Sequence, residues 1–182
     1  MATPSGATWV SQYPTSTSTD DLADGFREKF LAFAGAMAEA GISVRITATY
    51  RPPERAYMMH YSWEIVQGNV DPSAVPALDG VDINWVAGGV DGAQEMVDGY
   101  GIQNLHVPPA LKSRHTQRLA VDTVLQWSGD ISIAAADGQR VDVKGAPRNA
   151  THSTLIEVGK SYGAIHLHPA SADPYHWSND GH

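Results

Sequence analysis

The chain has 182 residues, enough for a core that buries roughly two thirds of the unfolded surface without cross-links. It has no cysteine, which excludes disulfides, thiolate metal ligands and a cysteine nucleophile. A formal net charge of -8 without any lysine or arginine run argues against nucleic acid, an anionic membrane or charge capture by an anionic cell wall, and no apolar run is long enough to span a bilayer.

Residues 1–19 read as an N-terminal arm, with Trp9, Val10 and Tyr13 pinning part of it and a Ser/Thr run acting as linker. Residues 20–182 read as a single domain. The arm lacks a charged segment followed by an apolar one, so a Sec-type leader is not expected. Asp20 or Asp21 is placed to cap a helix whose apolar stripe runs from Leu22 through Phe26, Phe30 and Met37, ending at Gly41. Ile42 to Tyr50 alternates as a strand. Arg51 follows, and Pro52-Pro53-Glu54 opens a helix to Gly68, with proline tolerated in the first turn. The Gly, Pro and Asp content of 69–90 predicts a long loop, and Asp91 to Tyr100 a short helix. Pro108-Pro109 forces extended backbone.

Leu119, Val121, Val124 and Leu125 predict a strand through to Trp127, followed by strands at Ile131–Ala135 and Val141–Val143 joined by an Asp137-Gly138 turn. Thr151 or His152 caps a helix to Tyr162, ended by Gly163. Ala164 to His168 reads as a strand with His166 and His168 on one face. Tyr175 to Ser178 reads as a last short strand. The expected class is α+β, with a small, mainly antiparallel sheet flanked by helices.

Candidate chemistry centres on Ser113-Arg114-His115-Thr116-Gln117-Arg118-Leu119-Ala120-Val121-Asp122. An imidazole and a carboxylate with six residues between them suit a divalent metal of zinc type. A charge at Asp122 inside an apolar strand is costly unless it is paired or metal-bound. The best third ligand lies near the C-terminus, in Asp173-Pro174-Tyr175-His176-Trp177. Zinc is therefore assigned to His115, Asp122 and His176; three protein ligands leave a fourth position for water, the mark of a catalytic zinc. Asp173, three residues before His176, is placed to act as general base and then acid. Trp177 is expected behind His176. Arg51, between a strand end and a helix start, reads equally as a surface arginine paired with Glu54 or as a site residue. Ser113 reads as a substrate contact, a residue orienting His115, or a turn residue. His168 is a weaker substrate or supporting candidate. His60, His106, His152 and His182 have no partner at a ligand spacing.

Ser113-x-His115-(x6)-Asp122, then Asp173-x-x-His176-Trp177, with Tyr50-Arg51-x-Pro53-Glu54 upstream, resembles the zinc D-Ala-D-Ala carboxypeptidase and L-alanyl-D-glutamate endopeptidase family, which includes phage endolysins and shares its fold with Hedgehog-type proteins. The matched pieces span roughly residues 43 to 178. The sequence departs at Arg118, where the family usually carries glycine. The resemblance implies a Hedgehog/DD-peptidase-like fold and a zinc peptidase that hydrolyses an amide bond in the peptidoglycan stem peptide. It also implies that Arg51 faces substrate and stabilises developing negative charge. The bond, between L-Ala and D-Glu or after D-Ala, stays open, as does a dipeptidase acting on free D-Ala-D-Ala. The alternative from another class is a catalytically silent zinc module that binds cell wall or a protein. A monomer is expected. It would be made in the cytoplasm and reach the wall by phage holin-type release or a dedicated secretion route.

Overall fold

The computed structural model describes residues 2–182. In chain order its elements are β1 (Thr3–Pro4), α1 (Asp24–Glu39), β2 (Ser43–Ala48), α2 (Pro53–Val66), β3 (Ile83–Asn84), α3 (Trp85–Tyr100), β4 (Ala120–Gln126), β5 (Ile131–Ala134), β6 (Arg140–Val143), α4 (Ser153–Tyr162), β7 (Ile165–His166) and β8 (His176–Ser178). The class is α+β with mostly antiparallel strand pairs, as the sequence pattern predicts. Among the described residues, no helix is long and apolar enough to cross a membrane.

The chain forms two compact units, each built from two stretches. One runs up to Thr15 and resumes at Arg51–Lys112; the other comprises Ser16–Tyr50 and Ser113–His182. The units therefore divide at other places than the arm boundary expected after residue 19.

The second unit holds a four-stranded sheet in the order β2-β4-β8-β7 and a separate β5-β6 hairpin. Alternation along β4 sends Val121, Thr123 and Leu125 into the core. Val121 and Leu125 meet Phe26, Phe30, Phe33 and Met37 of α1 and Leu155 and Val158 of α4. Trp177 lies at the centre, with no exposed surface. It packs edge-on to Phe33 at 5.2 Å and donates from Nε1 to Thr123 Oγ1 at 3.1 Å. A Cβ at position 159 would stand 2.5 Å from the Trp177 ring, so α4 needs Gly159 there. Trp177 does not pack behind His176 as expected, because consecutive β8 residues face opposite sides of the sheet.

Two local expectations, the α1 cap and the strand at 164–168, are corrected here. Helix α1 is capped at Ala23, with no side-chain bond, and Thr19–Asp21 forms a separate 3-10 turn. Helix α4 is capped at His152, one of the two residues expected, through its backbone and without a side-chain bond. The strand expected over Ala164 to His168 is only Ile165–His166, so His166 and His168 do not share a strand face. His166 is buried against the Trp177 ring, while His168 is exposed.

In the other unit α2 packs on α3, with Trp9, Tyr57, Met58, Trp85 and Met96 forming the core. Trp85 Nε1 donates to Tyr57 Oη at 3.0 Å, and that hydroxyl donates to the Pro76 carbonyl at 2.8 Å. Stretch 69–90 is more ordered than expected. It contains a 3-10 turn at Pro72–Ala74, strand β3 paired in parallel with β1, and the first turn of α3, which bends at Gly89 (φ 59°, ψ -155°). Helix α3 thus begins at Trp85, not Asp91. Gly88 and Gly92 let the Ser5 main chain reach the helix: a Cβ at Gly92 would stand 2.2 Å from Ser5 O.

Candidate metal centre

The candidate centre lies wholly in the second unit. His115 sits on a short turn closed by three main-chain bonds, Gln117 N to Ser113 O, Arg118 N to His115 O and Leu119 N to Arg114 O. The last two form the paired closure of a Schellman turn, whose outgoing residue takes the left-handed conformation and is usually glycine. That residue is Arg118, at φ 63°. A glycine would take this conformation freely, and the arginine costs roughly 1 kcal/mol of backbone strain. The Arg118 guanidinium lies over the Tyr50 ring, 4.4 Å from its centroid. Ser113 and Thr116 brace the turn: Thr116 Oγ1 accepts from Ser113 N at 3.0 Å and donates to Ser113 O at 2.8 Å.

Register brings the other two residues in. Asp122 of β4 pairs directly with His176 of β8, and on its other side with Ala48 of β2. A bulge between Ile46 and Ala48 adds Thr47 to β2 at this point, and Thr47 Oγ1 donates to Asp122 O at 3.2 Å.

The three side chains converge. His115 Nε2 is 3.1 Å from Asp122 Oδ1, His176 Nδ1 is 3.1 Å from the same oxygen, and the two nitrogens are 3.2 Å apart. The rings are 4% and 7% exposed. Their far nitrogens settle the tautomers. His115 Nδ1 faces Thr49 O at 2.8 Å and His176 Nε2 faces the main-chain oxygen of His182 at 3.1 Å. Such oxygens only accept, so these nitrogens carry the protons. In the neutral rings the inward nitrogens are then bare, and three electron-pair donors point at one another.

A cation at their centre would engage all three donors at once. Protonating both rings would set two like charges with their nitrogens 3.2 Å apart. Burial opposes ionisation of Asp122, but hydrogen bonds from and charges on His115 and His176 hold its carboxyl well below the usual range. Burial favours a neutral His176, yet Asp122 beside it raises its affinity for a proton. The donors fit a tetrahedral zinc-type ion: with bonds of ~2.0–2.2 Å, ligand atoms stand about 3.3–3.6 Å apart, a few tenths of an ångström beyond the distances seen. His115, Asp122 and His176 therefore form a group that could hold a metal ion. The two main-chain acceptors are the usual outer support of histidine ligands.

Asp173 lies just outside the group. Its Oδ1 accepts from Tyr175 N at 3.1 Å, and its charge favours a proton on His176. His168 is not among the three converging residues. Arg51 opens the other unit, so its expected role at substrate rests on the resemblance alone. Sequence reasoning missed Thr49, His182 and the Arg114–Asp180 pair. Arg114 Nε donates to Asp180 Oδ1 at 3.0 Å and its Nη2 pairs with Oδ2. Asp180 Oδ1 also receives His182 N at 3.3 Å, which ties the His115 turn to the segment supporting His176.

Fold and site together define an α+β protein with a buried His–Asp–His group able to take a metal ion. No protein-family model matches the chain, and no curated protein matches it.

Proposed function

We propose that the protein is a zinc-dependent hydrolase of an amide bond in the peptidoglycan stem peptide, with a Hedgehog/DD-peptidase-like fold. The observation that carries this reading is the convergence of two bare imidazole nitrogens and a carboxylate oxygen from residues that also stand in the family's motif order. His115, Asp122 and His176 would hold the ion. When bound, zinc supplies Lewis acidity, polarising a carbonyl and bringing the pKa of water towards about 7.

The chain's own residues do the rest. Thr49 O and the His182 main-chain oxygen keep both imidazoles in the tautomer that presents a lone pair. Asp173 takes the proton from the attacking water and returns it to the leaving nitrogen. The Tyr175 amide fixes its Oδ1 and leaves Oδ2 for the proton. No cysteine is present to act as nucleophile or competing ligand.

The test is digestion of purified peptidoglycan by zinc-loaded protein, with released fragments identified by mass spectrometry. Cleavage within the stem peptide, abolished by a chelator and restored by zinc, is expected. Full zinc occupancy without cleavage of any stem peptide would replace this reading with that of a zinc-containing binding module.

A further inference from the structure

We propose that Arg118, held over the Tyr50 ring, binds a carboxylate of the peptide substrate and makes the site select acidic peptides; this rests on the peptide-hydrolase reading above. Four observations converge. Arg118 occupies a left-handed position that glycine would fill without strain, so the turn itself gains nothing from the side chain. Its guanidinium carbon lies over the Tyr50 ring, 4.4 Å from the centroid, which restrains the side chain. A guanidinium held on an aromatic ring still has N–H donors in a fork that matches a carboxylate. Arg27, Arg114 and Arg148 each meet a carboxylate, whereas no carboxylate among the described residues pairs with the exposed Arg118.

Placement adds the fourth. Arg118 lies three residues after His115 and four before Asp122, and its amide donates to His115 O. Tyr50 follows Thr49, whose carbonyl holds His115. The stacked pair therefore flanks the His115 side of the candidate centre within the same unit. A chain of net charge -8 repels an anionic substrate in general, so a local, oriented cation is what admits a carboxylate beside the scissile bond. Stem peptides offer such groups in the α-carboxylate of D-Glu and the C-terminal carboxylate of D-Ala.

The experiment uses the zinc-loaded full chain and the pentapeptide L-Ala-γ-D-Glu-L-Lys-D-Ala-D-Ala, as the free acid, with each α-carboxylate amidated singly, and with both amidated. Affinity is read by titration calorimetry and hydrolysis by mass spectrometry of the same samples. Wild type should bind the free acid about 10-fold or more tightly than the doubly amidated peptide, as a charge-assisted bidentate contact does. Arg118→Gly, which the turn accommodates, should lose that preference and bind the amidated peptide as wild type does. Arg118→Lys should keep part of it. Tyr50→Leu should fall between, with zinc content unchanged, since Tyr50 acts by positioning. The singly amidated peptides locate the carboxylate. An Arg118-dependent preference without hydrolysis keeps the carboxylate site and removes the peptidase reading. Equal affinity of wild type for acid and amide, an equal loss on all peptides in Arg118→Gly, or no peptide binding at all overturns the proposal.

Discussion

Removing His115 separates a metal centre from a mere hydrogen-bonded triad. In the metal-free protein His115→Ala deletes a buried ring and leaves Thr49 O without its donor, a cost of about 1–3 kcal/mol. That loss is the same whether or not the site is made for metal. The discriminating quantity is the extra stability conferred by zinc. An ion that binds only the folded state at a free concentration 100 times its Kd stabilises by about 2.7 kcal/mol. At about 2–4 °C per kcal/mol for a chain of this size, zinc should raise wild-type Tm by about 5–11 °C. The assay is scanning calorimetry of wild type and His115→Ala, each with and without zinc, with elemental analysis after dialysis. About one zinc per chain and the full shift are expected for wild type, and little of either for the variant. A variant that keeps one zinc with an unchanged shift would refute the assignment of His115 as ligand.

Other outcomes follow from the geometry. Asp173→Asn should retain zinc and fold but lose turnover by about 10²–10⁴-fold, measured as muropeptide release at equal zinc content; undiminished release would remove Asp173 as base. Asp180→Asn should weaken zinc affinity by roughly 10-fold, because Asp180 links Arg114 to the His182 segment that supports His176. The Arg114 hydrogen bond lowers the pKa of Asp180, so its stabilisation is present above the usual carboxylate value and lost as pH falls through its lower folded value. The Tm gap between wild type and Asp180→Asn should therefore be full at neutral pH and close below about pH 4. Gly92→Ala should destabilise its unit by about 1–3 kcal/mol, since the Cβ would meet Ser5 main chain. By contrast Gly35→Ala, with nothing within 4 Å, should stabilise α1 by about 0.5–1 kcal/mol in the same denaturation assay.

What the sequence carried was what depends on side-chain type and short-range period. The β4 alternation, the α1 stripe and the Asp137-Gly138 hairpin are each set by local spacing, and all three form. His115, Asp122 and His176 could be brought together because a zinc-type site without cysteine must draw on histidine and carboxylate. Thr49 and His182 escaped notice because a main-chain oxygen has no residue signature. The first turns of α3 escaped because Gly88, Gly89 and Gly92 read as breakers, while two of them are demanded by the close approach of Ser5. The division into two units escaped because the chain enters each unit twice, with no linker composition at residues 50 or 112. His168 was placed beside His166 by extending a strand that ends at His166.

The centre shows how this fold couples a metal to its own stability. Asp122 is held between β2 and β8, His115 by a turn that ends in a strained residue, and His176 by a C-terminal segment. Each support is a main-chain bond or a strand register, so none can shift without carrying a donor with it. The three donor atoms stand 3.1–3.2 Å apart, close enough for one cation to meet them all. With a cation the same supports become attractive cross-braces between β4, β8 and the 113–118 turn. Metal affinity is then a measure of how rigidly the supports hold, because a loose frame would let the donors drift apart and recover hydration in the metal-free state. This predicts an ordering. Supports that touch a ligand directly, at Thr49 and His182, matter most. The Arg114–Asp180 pair acts through His182 and matters less. The Ser113–Thr116 brace only closes the turn, so Thr116→Ala should lower zinc affinity least of all. Zinc competition with a chromophoric chelator across these variants reads that order directly, and a Thr116→Ala defect larger than that of Asp180→Asn would show that the turn, not the C-terminal segment, governs the site.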